Sequence, residues 1–170
     1  MHNCRVVLAD DNDMLREMVR EYLETGNGVD VVGEAGDGIA LLGLLHSMDV
    51  LPHMIIVDVS MPRIKGIEAT REVRKRFPSV RVLVMTSHRE MEYVSKAFAA
   101  GAAGYLLKED APSELFDAIG AIHNGERYTS QSLDRDEMTG YPVGCPVQPR
   151  AVPWSPGPLR WTPPPDHPRI

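Results

Sequence analysis

Proline is scarce over most of this chain. Residues 1–130 hold only Pro52, Pro62, Pro78 and Pro112, while the remaining ten of the 14 prolines crowd into residues 131–170. Cysteine is scarcer still. Cys4 and Cys145 lie far apart, which excludes a disulfide framework and a cysteine metal cluster. No apolar run approaches the length of a membrane span, and nothing near Met1 resembles a signal peptide, so the expected address is the cytosol. Positive charge is also in deficit. The formal net charge is −6, and because residues 131–170 balance four arginines against four carboxylates, all of it falls on residues 1–130. An acidic domain repels a phosphate backbone, so neither nucleic acid nor membrane is an expected partner. With 170 residues there is room for one ordinary domain and an appendage.

What is present is a regular alternation. Residues 5–9 form a strand-like apolar run that ends on Asp10 and Asp11. Met14, Leu15, Met18, Val19, Tyr22 and Leu23 then line one helix face, with Asn12 or Asp13 able to cap its start and Gly26 its end. Further strands are expected at 29–33, 53–57, 81–85 and 104–107. Helical patterns follow from Asp37, through Ile67 to Phe77, over about 90–100, and from Asp110 to Asn124. Five strand–helix repeats imply parallel strands joined by right-handed crossovers, with helices on both faces of a buried sheet. The fold class is α/β, doubly wound. Residues 129–170 are expected to form a proline-rich, disordered tail.

In an open parallel sheet, ligands gather beyond the carboxyl ends of the strands. The residues delivered there are Asp10, Asp11, Asp58, Thr86 and Lys108, each group from the end of a different strand. Singly, an Asp after a strand is commonly just a helix cap. Four strand ends bearing complementary groups are much harder to explain that way. Clustered carboxylates repel unless a cation lies between them, and hard oxygen ligands without histidine or cysteine favour Mg²⁺. Lys108 is the natural counter-charge for an anion beside that metal.

These residues resemble a family pattern. The Asp10–Asp11 pair, the run IIVDVSMP at 55–62 with Gly66 following, Met85-Thr86-Ser87 and the run GYLLK at 104–108 are similar in order and spacing to the receiver domain of bacterial two-component response regulators. The style is closest to the NarL/FixJ-type branch, including NGERY at 124–128, and the resemblance covers residues 1–128. It implies a flavodoxin-like, five-stranded sheet of order 2-1-3-4-5. It implies that Asp58 is the phosphoacceptor, taking its phosphoryl group from a sensor histidine kinase or phosphotransfer protein. Asp10, Asp11, Asp58 and the Ser60 backbone carbonyl would hold Mg²⁺, with Asp10 acting largely through water. Lys108 and Thr86 would meet the phosphoryl oxygens, and Tyr105 would swing inward as Thr86 turns. The face made by the fourth helix, fifth strand and fifth helix would carry the output and a possible homodimer. No turnover of an external substrate is implied, only self-phosphorylation from phosphodonors and slow self-dephosphorylation.

Departures and rivals complete the reading. Glu109 stands where the family often has a proline after a cis bond, which leaves the isomer of the Lys108–Glu109 bond open. His88 is expected to face solvent rather than to orient water. A DNA-binding regulator is the alternative function, because this branch usually appends a helix-turn-helix module. Residues 131–170 supply no amphipathic basic helix, so the chain reads as a truncated or frame-shifted relative of such a regulator. Haloacid-dehalogenase-like phosphatases also place an aspartate after a buried strand, but they need a second aspartate where Ser60 stands.

Overall fold

The computed structural model describes residues 3–133. The elements alternate without exception: β1 (Cys4–Ala9), α1 (Asp13–Thr25), β2 (Val29–Ala35), α2 (Gly38–Ser47), β3 (Met54–Val57), α3 (Gly66–Arg76), β4 (Arg81–Thr86), α4 (Met91–Ala99), β5 (Gly104–Leu107), α5 (Ala111–His123) and β6 (Tyr128–Thr129). All pairings are parallel, and the sheet order is β2-β1-β3-β4-β5-β6. The expected five-strand order is present, but the sheet has six strands. A two-residue strand carries no readable periodicity, so β6 left no mark in the sequence pattern. Residues 129–133, assigned to the tail from the sequence, also pack on the domain, with Ser130 and Leu133 buried. The rest of the proline-rich segment lies outside the described residues.

Period-two side-chain alternation divides the core into two layers. Val7, Ala9, Ile55, Val57, Val82, Val84, Tyr105 and Leu107 face α2, α3 and α4; Val6, Leu8, Met54, Ile56, Leu83, Met85 and Leu106 face α1 and α5. Both faces of the central strands are thus buried, which explains their unbroken apolar runs. Asn12 caps α1 by accepting from the Leu15 N–H at 3.1 Å, and Asp37 caps α2 by accepting from the Ala40 N–H at 2.8 Å. Phe77, next to Pro78, ends α3. Gly125, at φ +86°, takes the left-handed conformation just after α5, where glycine carries no Cβ penalty. The described residues contain no cis peptide bond, so Lys108–Glu109 is trans. None of their helices is long and apolar enough to cross a membrane.

Candidate phosphoryl-acceptor site

Four parallel strands end at one edge and deliver the predicted residues together. Asp10 follows β1, Asp58 follows β3, Thr86 closes β4 and Lys108 follows β5. Asp10 and Asp58 are buried at 5% exposure each, whereas Asp11 is exposed. Carboxylate oxygens of Asp10, Asp11 and Asp58 lie within 4.8 Å of one another. Lys108 Nζ stands 2.8 Å from Asp10 Oδ2 and 3.4 Å from Asp58 Oδ1. Three carboxylates facing one ammonium leave an excess of negative charge, and this all-oxygen set suits a divalent hard cation such as Mg²⁺. Burial pushes the Asp58 carboxyl above its ordinary range; Lys108 opposes that shift and Asp10 adds to it.

The capping explanation for the acidic residues is settled by geometry. Asn12 is the cap of α1, and its own N–H donates to Asp10 Oδ1 at 2.8 Å. Asp10 is therefore turned by a local hydrogen bond and left facing Lys108. A second device was not visible in the sequence. The Arg16 guanidinium donates to the Asp10 carbonyl at 2.6 Å, to Asp13 at 2.8 Å and to Glu34 at 3.2 Å. It ties the β1–α1 turn to β2. No motif announces it, because its partners come from three separate elements.

Asp58 is held from its other side by a glycine. The Gly66 N–H donates to the Val59 carbonyl at 3.0 Å, and a Cβ on Gly66 would fall 1.9 Å from the Asp58 carbonyl oxygen. Only glycine lets α3 start this close to the Asp58 backbone. The same loop carries Arg63 in the left-handed region at φ 66°.

Thr86 is fully buried, and its Oγ1 accepts from the His88 N–H at 3.3 Å. Tyr105 is also fully buried and already points inward, its hydroxyl donating to the His88 carbonyl at 2.8 Å. Burial, reinforced by the charge of Glu90, pushes the Tyr105 phenol up, so it stays a donor. The expectation for His88 is refined. Its side chain is 32% exposed, so it faces solvent only in part; the ring also stacks on Tyr93 with centroids 4.3 Å apart, and Nε2 lies 2.8 Å from Ser60 Oγ. The two residues that follow Asp58 and Thr86 by two positions thus touch across the mouth of the site. The signal lay in their equal offsets from Asp58 and Thr86, but the side-chain reach depended on the β4–α4 loop.

Comparison with known proteins agrees with this geometry. The model of the response regulator receiver domain matches residues 6–120. The uncharacterized transcriptional regulatory protein YxjL of Bacillus subtilis is 41% identical over 122 residues, covering 72% of this chain and 55% of its own. Response regulator UvrY of Escherichia coli is 37% identical over 130 residues, covering 75% of this chain and 58% of its own. The chain spans just over half the length of these curated relatives. Among solved structures, the isolated REC domain of RcsB from Salmonella enterica, with the phosphomimetic BeF3⁻, superposes with a TM-score of 0.72 at 32% identity, covering 79% of this chain and 98% of that one. A LuxR-family response regulator from an Aurantimonas species gives 0.74 at 36% identity, covering 78% and 94%. The chain belongs to the response regulator receiver domain family.

Proposed function

We propose that this domain accepts a phosphoryl group on Asp58 from a phosphohistidine of a sensor histidine kinase or phosphotransfer protein, and that the modification changes its protein contacts. The observation that carries this reading is the placement of Lys108 between two buried carboxylates, Asp10 and Asp58, at the carboxyl edge of the sheet. One Asp58 carboxylate oxygen attacks phosphorus, the P–N bond to the imidazole breaks, and the imidazole leaves with that electron pair. Asp58 is buried and backed by Gly66, so its approach is fixed by the scaffold rather than by a mobile loop.

Asp11, Asp58 and the Ser60 carbonyl would hold Mg²⁺, with Asp10 acting largely through water, and the ion would supply positive charge against the phosphoryl oxygens. Lys108 supplies the second positive charge and needs only a short move from Asp10 toward the phosphoryl group. The Thr86 hydroxyl donates to a phosphoryl oxygen when it rotates away from the His88 N–H. That rotation reaches Tyr105, because both residues bond the backbone of His88. Phosphorylation adds nearly two negative charges, enough to bias such a pair of arrangements. The activity is self-phosphorylation and slow self-dephosphorylation, not turnover of an external substrate.

Incubation with a small phosphodonor and Mg²⁺ tests the reading: a base-labile phosphoryl adduct is expected on Asp58 and is lost in Asp58→Asn.

A second reading, a DNA-binding regulator, is favoured by the relatives named as transcriptional regulatory proteins, such as DegU of Brevibacillus brevis, of which this chain covers 57%. Residues 1–130 carry the whole formal charge of −6, which disfavours a DNA contact within residues 3–133. A mobility shift on duplex DNA that survives deletion of residues 134–170 would place DNA contact on the receiver instead.

A further inference from the structure

Asp11 is the exposed member of the acidic trio, beside the buried Asp10 and Asp58. Its carboxylate lies within 4.8 Å of theirs, yet among the described residues no side-chain hydrogen bond holds it there. An exposed side chain of this kind is placed by the backbone beneath it. The groups that fix the β1–α1 turn therefore place Asp11. Asp10 is tied at three points: its N–H donates to the Ala35 carbonyl at 3.1 Å, its Oδ1 accepts from the Asn12 N–H at 2.8 Å, and its carbonyl accepts from the Arg16 guanidinium at 2.6 Å. The last of these oxygens belongs to the peptide that joins Asp10 to Asp11.

Arg16 is itself firmly set. It sits in the first turn of α1, where its N–H donates to the Asn12 carbonyl at 2.9 Å. Its side chain is only 17% exposed. The planar guanidinium gives each nitrogen its own partner: Nη1 takes the Asp10 carbonyl, Nε takes Glu34 on β2 at 3.2 Å, and Nη2 takes Asp13 at 2.8 Å. Arg20, one turn on, also pairs with Glu34, at 3.5 Å, but has no described contact with Asp10. A purely electrostatic role for Arg16 makes the opposite prediction to a positioning one. A fixed cation this close repels a second cation, so charge alone would have its removal strengthen binding of a divalent ion.

We propose that Arg16 is a positioning residue of the metal site: by holding the Asp10 carbonyl it orients the peptide that carries Asp11, and so sets the affinity for a divalent cation. That role rests on the reading of Asp10, Asp11 and Asp58 as the groups that hold Mg²⁺. Arg16 acts through the backbone, with Glu34 and Asp13 fixing the guanidinium from outside. Groups that orient metal ligands from behind commonly govern affinity by about tenfold to a hundredfold.

The test is calorimetric titration of the full chain with MgCl₂ and no phosphodonor, with denaturant melts in chelator to confirm folding. Arg16→Met keeps the apolar stem and removes the guanidinium. Its Mg²⁺ affinity should fall at least about tenfold, although a positive charge has left the neighbourhood. Arg20→Met makes the same change of charge beside the same Glu34 and should stay within about twofold of wild type. If Arg16→Met does not melt cooperatively, Arg16→Lys keeps the charge but offers one nitrogen for three, and should still lose at least about threefold. Equal or tighter binding by the folded Arg16 variant, or an equal loss in Arg20→Met, overturns the positioning role and leaves the metal reading standing. A wild-type chain that takes up no Mg²⁺ overturns both.

Discussion

The Lys108 ammonium lies closer to Asp10 than to Asp58, at 2.8 Å against 3.4 Å. Its charge is thus partly spent on Asp10, which shares the site with two other carboxylates. The Asp10→Asn variant should release Lys108 toward Asp58 and remove one of the repelling charges. In metal-free buffer its stability is expected to rise by about 1 kcal/mol, because a buried carboxylate facing others is replaced by a neutral amide. Its Mg²⁺ affinity is expected to fall by about tenfold to a hundredfold. Denaturant melts in chelator and calorimetric Mg²⁺ titration read the two effects separately.

Gly66 is the steric hinge of the site. Alanine there would drive its Cβ to 1.9 Å from the Asp58 carbonyl oxygen, a contact no rotamer relieves. Gly66→Ala should cost about 3 kcal/mol, at the upper end of overpacking penalties, and should slow phosphoryl uptake by displacing Asp58. Gly43, with nothing within 4 Å of its would-be Cβ, is the control: Gly43→Ala in mid-helix should stabilise by about 0.5–1 kcal/mol. Chemical denaturation of both variants measures the difference.

The opposite edge of the sheet carries a pH response. The half-buried His123 ring meets His53 edge-on at 5.6 Å, and burial lowers its pKa from the ordinary 6.5. The folded state therefore binds fewer protons than the unfolded chain. This contribution to stability is full above 6.5 and is lost as pH falls through that value toward the lowered one. The ring is only half-buried, so water screens part of this effect and the loss is a modest decline in stability as pH falls below 6.5. His123→Phe keeps a ring against His53 and should flatten that part of the profile in melts taken across the range.

Cys4 should be inert in the native state. It is 1% exposed in the first strand, and burial pushes its thiol up to about 12. Alkylation followed by peptide mapping should leave Cys4 unlabelled at neutral pH until denaturant is added.

The strand ends were legible because a buried parallel strand is an apolar run and its last residue interrupts it. Asp10, Asp58, Thr86 and Lys108 each stand where such a run stops, so topology alone brings them together. Asp37 as the start of a helical pattern and Phe77 as the end of another were legible for a similar reason, since both are local signals. The rest depended on tertiary reach. Arg16 finds Asp10 and Glu34 only once α1 lies against β1 and β2. His88 is held at the surface in a fixed place because Tyr93 offers a ring to stack on and Ser60 a hydroxyl to meet. β6 needs the β5 edge and the Glu114 carboxylate to exist first. Tyr105 was expected to move inward on switching, yet it is already inward, because the His88 carbonyl gives its hydroxyl a partner there.

The central claim is that Asp58 takes up the phosphoryl group with Lys108 beside it. Its most direct test is mass spectrometry of the full chain after exposure to a small phosphodonor and Mg²⁺, with Asp58→Asn and Lys108→Ala alongside. A single base-labile phosphoryl adduct mapped to Asp58, absent from Asp58→Asn and slowed by at least about a hundredfold in Lys108→Ala, is the expected result. Uptake by Asp58→Asn at the wild-type rate would contradict the account.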